Sequence, residues 1–224
     1  MIHELPFFGI DGGQPSFASL CMADSRHSDH FISKTYSAGQ CVRRRGESIT
    51  HFGIVQSGIL KSVSCSRNGD ELCHAYFEEN DSFPEFLYLT GKRRYTYALY
   101  VEKKAQVLWI PIDILEEMLT ASPQLMSALL LYVSQRGLKN QLYLNCLNYQ
   151  TIRQRIAYWI LGVHEIAPGQ VIPLPRSQKI LANLLHVNRS SLNQELGQMA
   201  REGFFAVENG RMTGIALDRL EELL

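Results

Sequence analysis

The chain has 224 residues, of which 46% are hydrophobic and 20% are charged. This length suits two modest domains, and the composition is typical of folded globular proteins, which excludes a disordered or fibrous chain. Lys and Arg (22) balance Asp and Glu (22), which argues weakly against a DNA-binding protein, because only the local charge of the docking face matters. The longest apolar run, residues 128–133, is too short for a membrane span, and five widely spaced cysteines without a secretory signal favour a reduced, cytoplasmic protein.

From about residue 31 to residue 110 the chain has the texture of β-structure. Residues 1–30 are mixed, with glycines and a proline, and we expect a loose or capping segment there. Short apolar stretches then alternate with turn signals, which fall at residues 38–39, 45–46, 57–58 and 68–69. The last signal, Asn68-Gly69, provides two residues that tolerate positive φ and predicts a tight hairpin. Repeated short strands at this spacing predict a small barrel or sandwich.

A helical region follows, beginning with a short helix at residues 113–119. Ser122 as N-cap and Pro123 at the first helical position then predict a long helix that ends near residue 148. One face of it keeps a 4,3 spacing, with two interrupting residues in the middle: Met126, Leu130, Val133, Gly137, Asn140, Leu144 and Leu147. This seam favours a dimer-forming helix, and a helix packed on its own sensor domain is the alternative.

The remaining residues predict a compact DNA-reading unit. A helix at 149–164 is broken at residues 167–169, and a helix at 178–185 is followed by a tight turn and a second helix at 189–202. Leu192, Leu196, Met199 and Ala200 form the predicted inward face of the second helix. Asn188 is placed to cap this helix with its side chain, and Gly203 is placed to end it. Two short strands joined at residues 208–210 complete the pattern of a winged helix-turn-helix.

The outward face at the start of the second helix carries side chains suited to DNA. Arginine can contact a guanine edge or a phosphate, glutamine and asparagine can pair with adenine, and serines near a helix N-terminus suit phosphate. The candidate DNA-binding residues are Ser177, Arg189, Ser190, Ser191, Asn193 and Gln194. A protein–protein module is the alternative, and the wing favours DNA.

Over residues 31–224 the sequence resembles the Crp/Fnr family of transcription regulators. The likeness rests on a series of glycine-containing stretches and on the turn of the helix-turn-helix, at residues 36–40, 45–47, 52–58, 68–71, 80–83 and 184–192. It implies an α+β protein with three parts: a cyclic-nucleotide-binding-like jelly-roll sensor domain (1–121), a dimerisation helix (122–148) and a winged helix-turn-helix domain (149–224). It also implies a homodimer that binds double-stranded DNA at a two-fold symmetric site, responds to a small effector and contacts RNA polymerase.

The sensor departs from the family's cyclic-nucleotide binders, in which a Gly-Glu pair holds the ribose and an Arg-Ser or Arg-Thr pair holds the phosphate. Pro84 stands in place of the glycine before Glu85 and removes an N–H donor, and Tyr95 separates Arg94 from Thr96. We therefore expect a small anionic or aromatic effector rather than cyclic AMP or GMP. The candidate effector-binding residues are Glu85, Tyr88, Arg94, Tyr95, Thr96, Tyr97, Asn140 and Gln141. For each of them, a core or loop role is the alternative.

Other cofactor classes are not expected. The family's oxygen-sensing branch holds an iron–sulfur cluster with several N-terminal cysteines, whereas only Cys21 lies in that region. Cys21, His27 and His30 are better explained as scattered residues of a flexible arm than as metal ligands. No metal and no cofactor are therefore predicted.

Two competing functions remain. A cupin-like metal enzyme needs clustered His and Glu ligands, whereas His51 and His74 stand alone, so an enzyme is not expected. A regulator that needs no ligand or responds to thiol oxidation would use Cys65, Cys73 or Cys146, for which a buried apolar role is the alternative.

Overall fold

The computed structural model describes residues 15–65, 71–164, 166, 168–174 and 178–224, and of Cys65 and Glu71 it describes the backbone only. The chain forms two compact units, Met1–Gln135 and Arg136–Leu224. The first is built around an antiparallel sheet and the second around short helices with a small sheet, which confirms the predicted α+β class. Among the described residues, no helix combines the length and the hydropathy needed to cross a membrane.

A six-stranded antiparallel sheet dominates the first unit. Its strands are β1 (Ile32–Tyr36), β2 (Cys41–Arg43), β3 (His51–Cys65), β4 (Glu71–Phe77), β5 (Ser82–Phe83) and β6 (Ala98–Pro111). The strand order is β1-β6-β3-β4, with β2 also paired to β6 and β5 to β3. The two long strands β3 and β6 pair with each other through several register shifts, and such shifts let long strands bend into a barrel-like sheet.

The glycines at predicted turns have two different roles. Gly39 and Gly46 have φ values of +80° and +84° and lie in turns, as predicted. The predicted turn at Ser57-Gly58 is wrong, because both residues lie inside β3, where the register with β6 shifts. At Gly58, φ is +88° and a Cβ would lie 2.1 Å from the Lys104 carbonyl oxygen, so this glycine forms a bulge. The Asn68-Gly69 turn lies outside the described residues.

Helices pack against one side of the sheet. They are α1 (Phe17–Met22), α2 (Glu85–Leu89), α3 (Ile112–Ala121) and the long α4 (Pro123–Cys146). Ser122 accepts a hydrogen bond from the Leu125 N–H at 3.2 Å, which confirms the predicted cap of α4. Leu125 and Leu129 of α4 are buried in one core cluster with Phe52 of β3, and this cluster holds the start of α4 on the first unit.

Of the two alternatives for the N-terminal segment, the structure from residue 15 onward agrees with a capping segment and not with a loose one. Ser16 caps α1, and Phe17, Ala18 and Cys21 form a buried face of that helix in the same core cluster. The His27 ring is held by Asp24 at 3.2 Å from Nδ1. Apolar side chains at i, i+1 and i+4 therefore dock a short helix that composition alone does not distinguish from a flexible arm.

The second unit contains the helix-turn-helix and its wing. After α4 it comprises α5 (Ile152–Tyr158) with a π-helical turn (Trp159–Val163), β7 (Ile172–Pro173), α6 (Gln178–Leu184), α7 (Arg189–Arg201), β8 (Ala206–Glu208), β9 (Arg211–Thr213) and α8 (Leu217–Glu221). The helix predicted from residue 149 begins at residue 152, because Thr151 and Gln154 form a capping box there. The three strands pair antiparallel in the order β7-β9-β8.

The predicted inward face of α7 is confirmed. Leu192, Leu196 and Met199 are buried in a core cluster that also contains Trp159. Gly203 has a φ of +80° and follows the end of α7, as predicted. The wing turn is confirmed as well, with positive φ at two successive residues between β8 and β9.

Candidate DNA-reading and sensing sites

The turn between α6 and α7 is held by an arginine of α5. Arg155 donates from Nη1 to the carbonyl oxygens of Leu185 (2.9 Å) and His186 (3.3 Å), and from Nε to that of Tyr149 (2.9 Å). His186 has a φ of +51°, a left-handed conformation that lets the chain reverse between the two helices. The start of α7 is thus fixed relative to α5.

The first turn of α7 presents the predicted readers unevenly. Arg189, Ser190 and Gln194 are exposed, and Ser191 is half-buried. Asn193 is half-buried, and its Oδ1 atom is buried. Ser177 lies outside the described residues.

The prediction that the Asn188 side chain caps α7 is wrong, since Asn188 occupies the N-cap position but makes no side-chain capping hydrogen bond. Backbone N–H groups at the start of a helix are oriented to donate to an anion. The start of α7 therefore combines these donors with the exposed Arg189 guanidinium, an arrangement suited to a phosphate or a base edge.

In the sensor, side chains around Tyr95 are alternately exposed and buried. Tyr95 is buried, whereas its neighbours Arg94 and Thr96 are exposed. Arg94 donates from Nη1 to the Gly46 carbonyl oxygen at 2.8 Å. Burial raises the pKa of the Tyr95 hydroxyl above its ordinary value. The tyrosine ring, and not the arginine, is therefore enclosed at this point of the sensor.

The other predicted effector residues are distributed over several elements. The ring of Tyr97 lies edge-on to that of Tyr95, with centroids 5.9 Å apart. Glu85 is buried at the start of α2, and half-buried Tyr88 packs on Phe52 at 5.9 Å, where burial raises the pKa of its hydroxyl. Asn140 and Gln141 are exposed residues of α4 in the second unit.

Sequence reasoning missed the residue that joins α4 to β5. The Tyr132 hydroxyl accepts from the Ser82 N–H at 2.7 Å and donates to the Ser82 carbonyl oxygen at 2.9 Å. Ser82 is fully buried and lies two residues before Pro84. The first half of α4 is thereby attached to the segment that leads into Glu85.

The described residues offer no group of three or more His, Cys, Asp or Glu side chains that could hold a metal ion. His51 contacts Thr50 at 2.9 Å, and His74 contacts Ser64 at 2.7 Å, each through a ring nitrogen and a hydroxyl.

Two cysteines lie in apolar surroundings. Burial raises the pKa of the Cys21 thiol to about 12 and that of Cys146 to about 11, which leaves little thiolate at neutral pH. Cys73 is half-buried on β4, and the side chain of Cys65 lies outside the described residues.

Two family models match the chain. The model described as cyclic nucleotide-binding domain covers residues 33–122, and that described as Crp-like helix-turn-helix domain covers residues 154–223.

Known proteins resemble the chain over most of its length. A global nitrogen regulator of Synechococcus elongatus is 22% identical over 186 residues, which are 80% of this chain and 83% of the relative. An anaerobic regulatory protein of Haemophilus influenzae is 24% identical over 195 residues, 85% of this chain and 75% of the relative. The solved structure of FixK2 from Bradyrhizobium japonicum has a TM-score of 0.65 at 16% identity and covers 86% of this chain and 96% of its own.

Proposed function

The chain belongs to the Crp/Fnr family of transcription regulators, and from that premise we propose that it is a homodimer that reads a two-fold symmetric DNA site under the control of a small effector. It is a regulator rather than an enzyme, with a cyclic-nucleotide-binding-like sensor domain and a DNA-binding helix-turn-helix. The proposal extends to a cytoplasmic location and to contact with RNA polymerase.

The start of α7 carries the DNA-reading part of the proposal. Arg189 is exposed at the first position of α7, next to a turn that Arg155 holds by hydrogen bonds. In this proposal Arg189 contacts a guanine edge or a phosphate, and Gln194 and Asn193 contact adenine edges. Ser190 and Ser191, together with Ser177, are assigned to phosphates.

The exposed apolar face of α4 supports the homodimer. In the single chain, large apolar side chains on one side of α4 are exposed: Met126 by 38%, Leu130 by 46% and Leu144 by 64%. A second copy of the chain is the occupant that fits, because two such faces are self-complementary about a two-fold axis. In that dimer the two α7 helices would enter successive major grooves about 34 Å apart.

The sensor is proposed to take a small anionic or aromatic molecule. Buried Tyr95 with its neighbour Tyr97 offers ring contacts, and Glu85 and Tyr88 offer polar groups in enclosed surroundings. Arg94, Thr96, Asn140 and Gln141 complete the proposed set.

A cyclic nucleotide fits these residues poorly. Pro84 has no N–H to donate. Of the candidate residues further along the chain, Tyr95 is buried, whereas Arg94 is exposed and donates to the Gly46 carbonyl oxygen. A thiol-responsive regulator is the alternative, and the raised pKa of Cys146 argues against that residue as its sensor.

Selection of bound sequences from random duplex DNA tests the proposal. We expect wild type to enrich a palindrome and Arg189→Ala to lose it, whereas Arg201→Ala should keep it, because Arg201 is exposed in the last turn of α7. The selection is repeated with phenolic and carboxylic acids, with cyclic AMP, and with and without reductant. Failure to enrich any sequence under all these conditions would refute sequence-specific DNA binding, and a response to reductant alone would favour the thiol alternative.

A further inference from the structure

Arg153 of α5 bonds two carboxylates of the reading helix through all three of its side-chain nitrogens. Its Nε donates to Glu195 at 2.7 Å, while Nη1 and Nη2 donate to the two oxygens of Glu202 at 2.8 and 3.1 Å. Glu195 and Glu202 lie seven positions apart, about two turns of α7, on one side of the helix. One planar guanidinium therefore fixes α7 at two points along its length.

The end of α7 is held by further contacts to Glu202, one to its carboxylate and one to its backbone. Gln198 donates to Glu202 at 2.9 Å, and Arg219 of α8 donates to the Glu202 carbonyl oxygen at 2.9 Å. The hydrogen bonds that Arg153 donates to Glu202 and then to Glu195 raise the pKa of Arg153, and the bond from Arg153 lowers the pKa of the Glu202 carboxyl. Both directions follow from the hydrogen bonds between the guanidinium and the carboxylates.

The position of these ion pairs on α7 connects them to DNA binding as well as to folding. Glu195 directly follows Gln194, a proposed reader, so its carboxylate lies on the helix that approaches the phosphate backbone. An unpaired carboxylate there would repel DNA, and a rotation or tilt of α7 would displace the side chains of its first turn from the base edges. Arg153 opposes both effects at once.

We propose that Arg153 is a positioning residue for DNA reading: it sets the orientation of α7 through Glu195 and Glu202 and offsets part of the negative charge of these two carboxylates beside the DNA. This rests on the proposed function, in which α7 reads DNA. Arg153 itself makes no base contact in this scheme, so its removal changes discrimination between sequences without removing a reader.

Arg155 supplies the matched comparison. It lies two residues further along α5 and also fastens the helix-turn-helix, but its partners are backbone carbonyl oxygens and not carboxylates. Loss of either arginine should lower the thermal midpoint. Only the effect of losing Arg153 should depend on the two glutamates.

The test uses the full-length protein with four variants, namely Arg153→Met, Arg153→Lys, Arg155→Met, and Arg153→Met combined with Glu195→Gln and Glu202→Gln. Affinity is measured for the duplex enriched by wild type and for a random-sequence duplex of equal length, at a temperature where every variant is folded. We expect Arg153→Met to lower both affinities and to reduce their ratio at least tenfold. The triple variant should recover affinity for the random duplex but not the ratio of the two affinities. Arg153→Lys should lie between wild type and Arg153→Met in both affinities and in their ratio. A lower thermal midpoint with an unchanged ratio would overturn the proposal and leave Arg153 a purely structural role.

Amide hydrogen exchange provides a readout that needs no DNA. Arg153→Met should raise exchange rates along residues 196–201 of α7, whereas Arg155→Met should raise them first at the turn, residues 185–188. Unchanged exchange in α7 of Arg153→Met would also overturn the proposal. If wild type enriched no DNA sequence, the proposed function would fail, and the exchange data would still decide whether Arg153 holds α7.

Discussion

Leu129 and Leu130 are neighbours on α4, one buried and the other exposed, and they separate folding from dimer formation. Leu129 is fully buried in the core cluster with Phe52, whereas Leu130 is 46% exposed in the single chain. Burying a whole leucine side chain contributes about 2 kcal/mol, so covering the exposed part of Leu130 contributes about 1 kcal/mol per protomer. A two-fold interface buries it twice, so Leu130→Ala should cost the dimer about 2 kcal/mol, a roughly 30-fold increase in the dissociation constant. Leu129→Ala should instead lower the free energy of unfolding by about 3 kcal/mol through loss of packing and a cavity.

Sedimentation equilibrium measures the dimer dissociation constant, and urea unfolding at several protein concentrations measures the stability of each variant. For Leu130→Ala we expect a weakened dimer and a near-normal free energy of unfolding of the monomer. For Leu129→Ala we expect a lower free energy of unfolding and a smaller change in the dimer dissociation constant. A wild type that stays monomeric over the accessible concentrations, or a Leu130→Ala dimer within threefold of wild type, would refute the assignment of this face to a second copy.

Three further outcomes follow from single contacts. Gly58→Ala should lower the free energy of unfolding by about 2–5 kcal/mol, because its φ is +88° and its Cβ would overlap the Lys104 carbonyl; a urea curve within 1 kcal/mol of wild type would contradict the bulge. Tyr132→Phe should cost about 1–3 kcal/mol in the same assay, since the Ser82 N–H and carbonyl lose a buried partner, and no loss would mean that another group replaces the hydroxyl. Burial raises the pKa of Cys21 from 9.0 to about 12, so its contribution to stability is complete below pH 9 and declines as the pH rises toward 12, where the unfolded thiol ionises first. Unfolding of Cys21→Ala, followed from neutral to alkaline pH, should show a shallower decline, and equal slopes would argue against the buried thiol as the cause.

Local patterns were sufficient for the helix-turn-helix. The spacing of Leu192, Leu196 and Met199 predicted the buried face of α7, and Gly203 predicted its end. The cap of α4 by Ser122 was predicted in the same way. These features depend on residues within two turns of one another, and periodicity and capping preferences report such short-range relations directly.

Contacts between residues far apart in the chain could not be predicted from the sequence. Arg153 meets its carboxylates 42 and 49 positions away, and Tyr132 meets Ser82 at a distance of 50 positions. No local spacing encodes such partners, because they depend on how helices and strands pack. Gly58 illustrates a different difficulty, since a glycine at a turn and a glycine at a bulge look alike until the neighbouring strand is placed.

The pairing of β1 with β6, the first and last strands of the first unit, affects how the protein folds during synthesis. Within the described residues, β6 is the strand that β1 pairs with, and Trp109 donates to the Tyr36 hydroxyl from 73 positions further along the chain. During synthesis β1 therefore cannot pair with β6 until β6 has left the ribosome. Such long-range strand pairing is slow, and a chain with an unpaired strand edge is prone to aggregation. A fragment that stops before residue 98 should be insoluble, whereas one that includes α3 can close its sheet. The contacts of Arg153 in the second unit span 42 and 49 positions, fewer than the 73 between Tyr36 and Trp109, so we expect closure of the sensor sheet to limit the yield of functional protein.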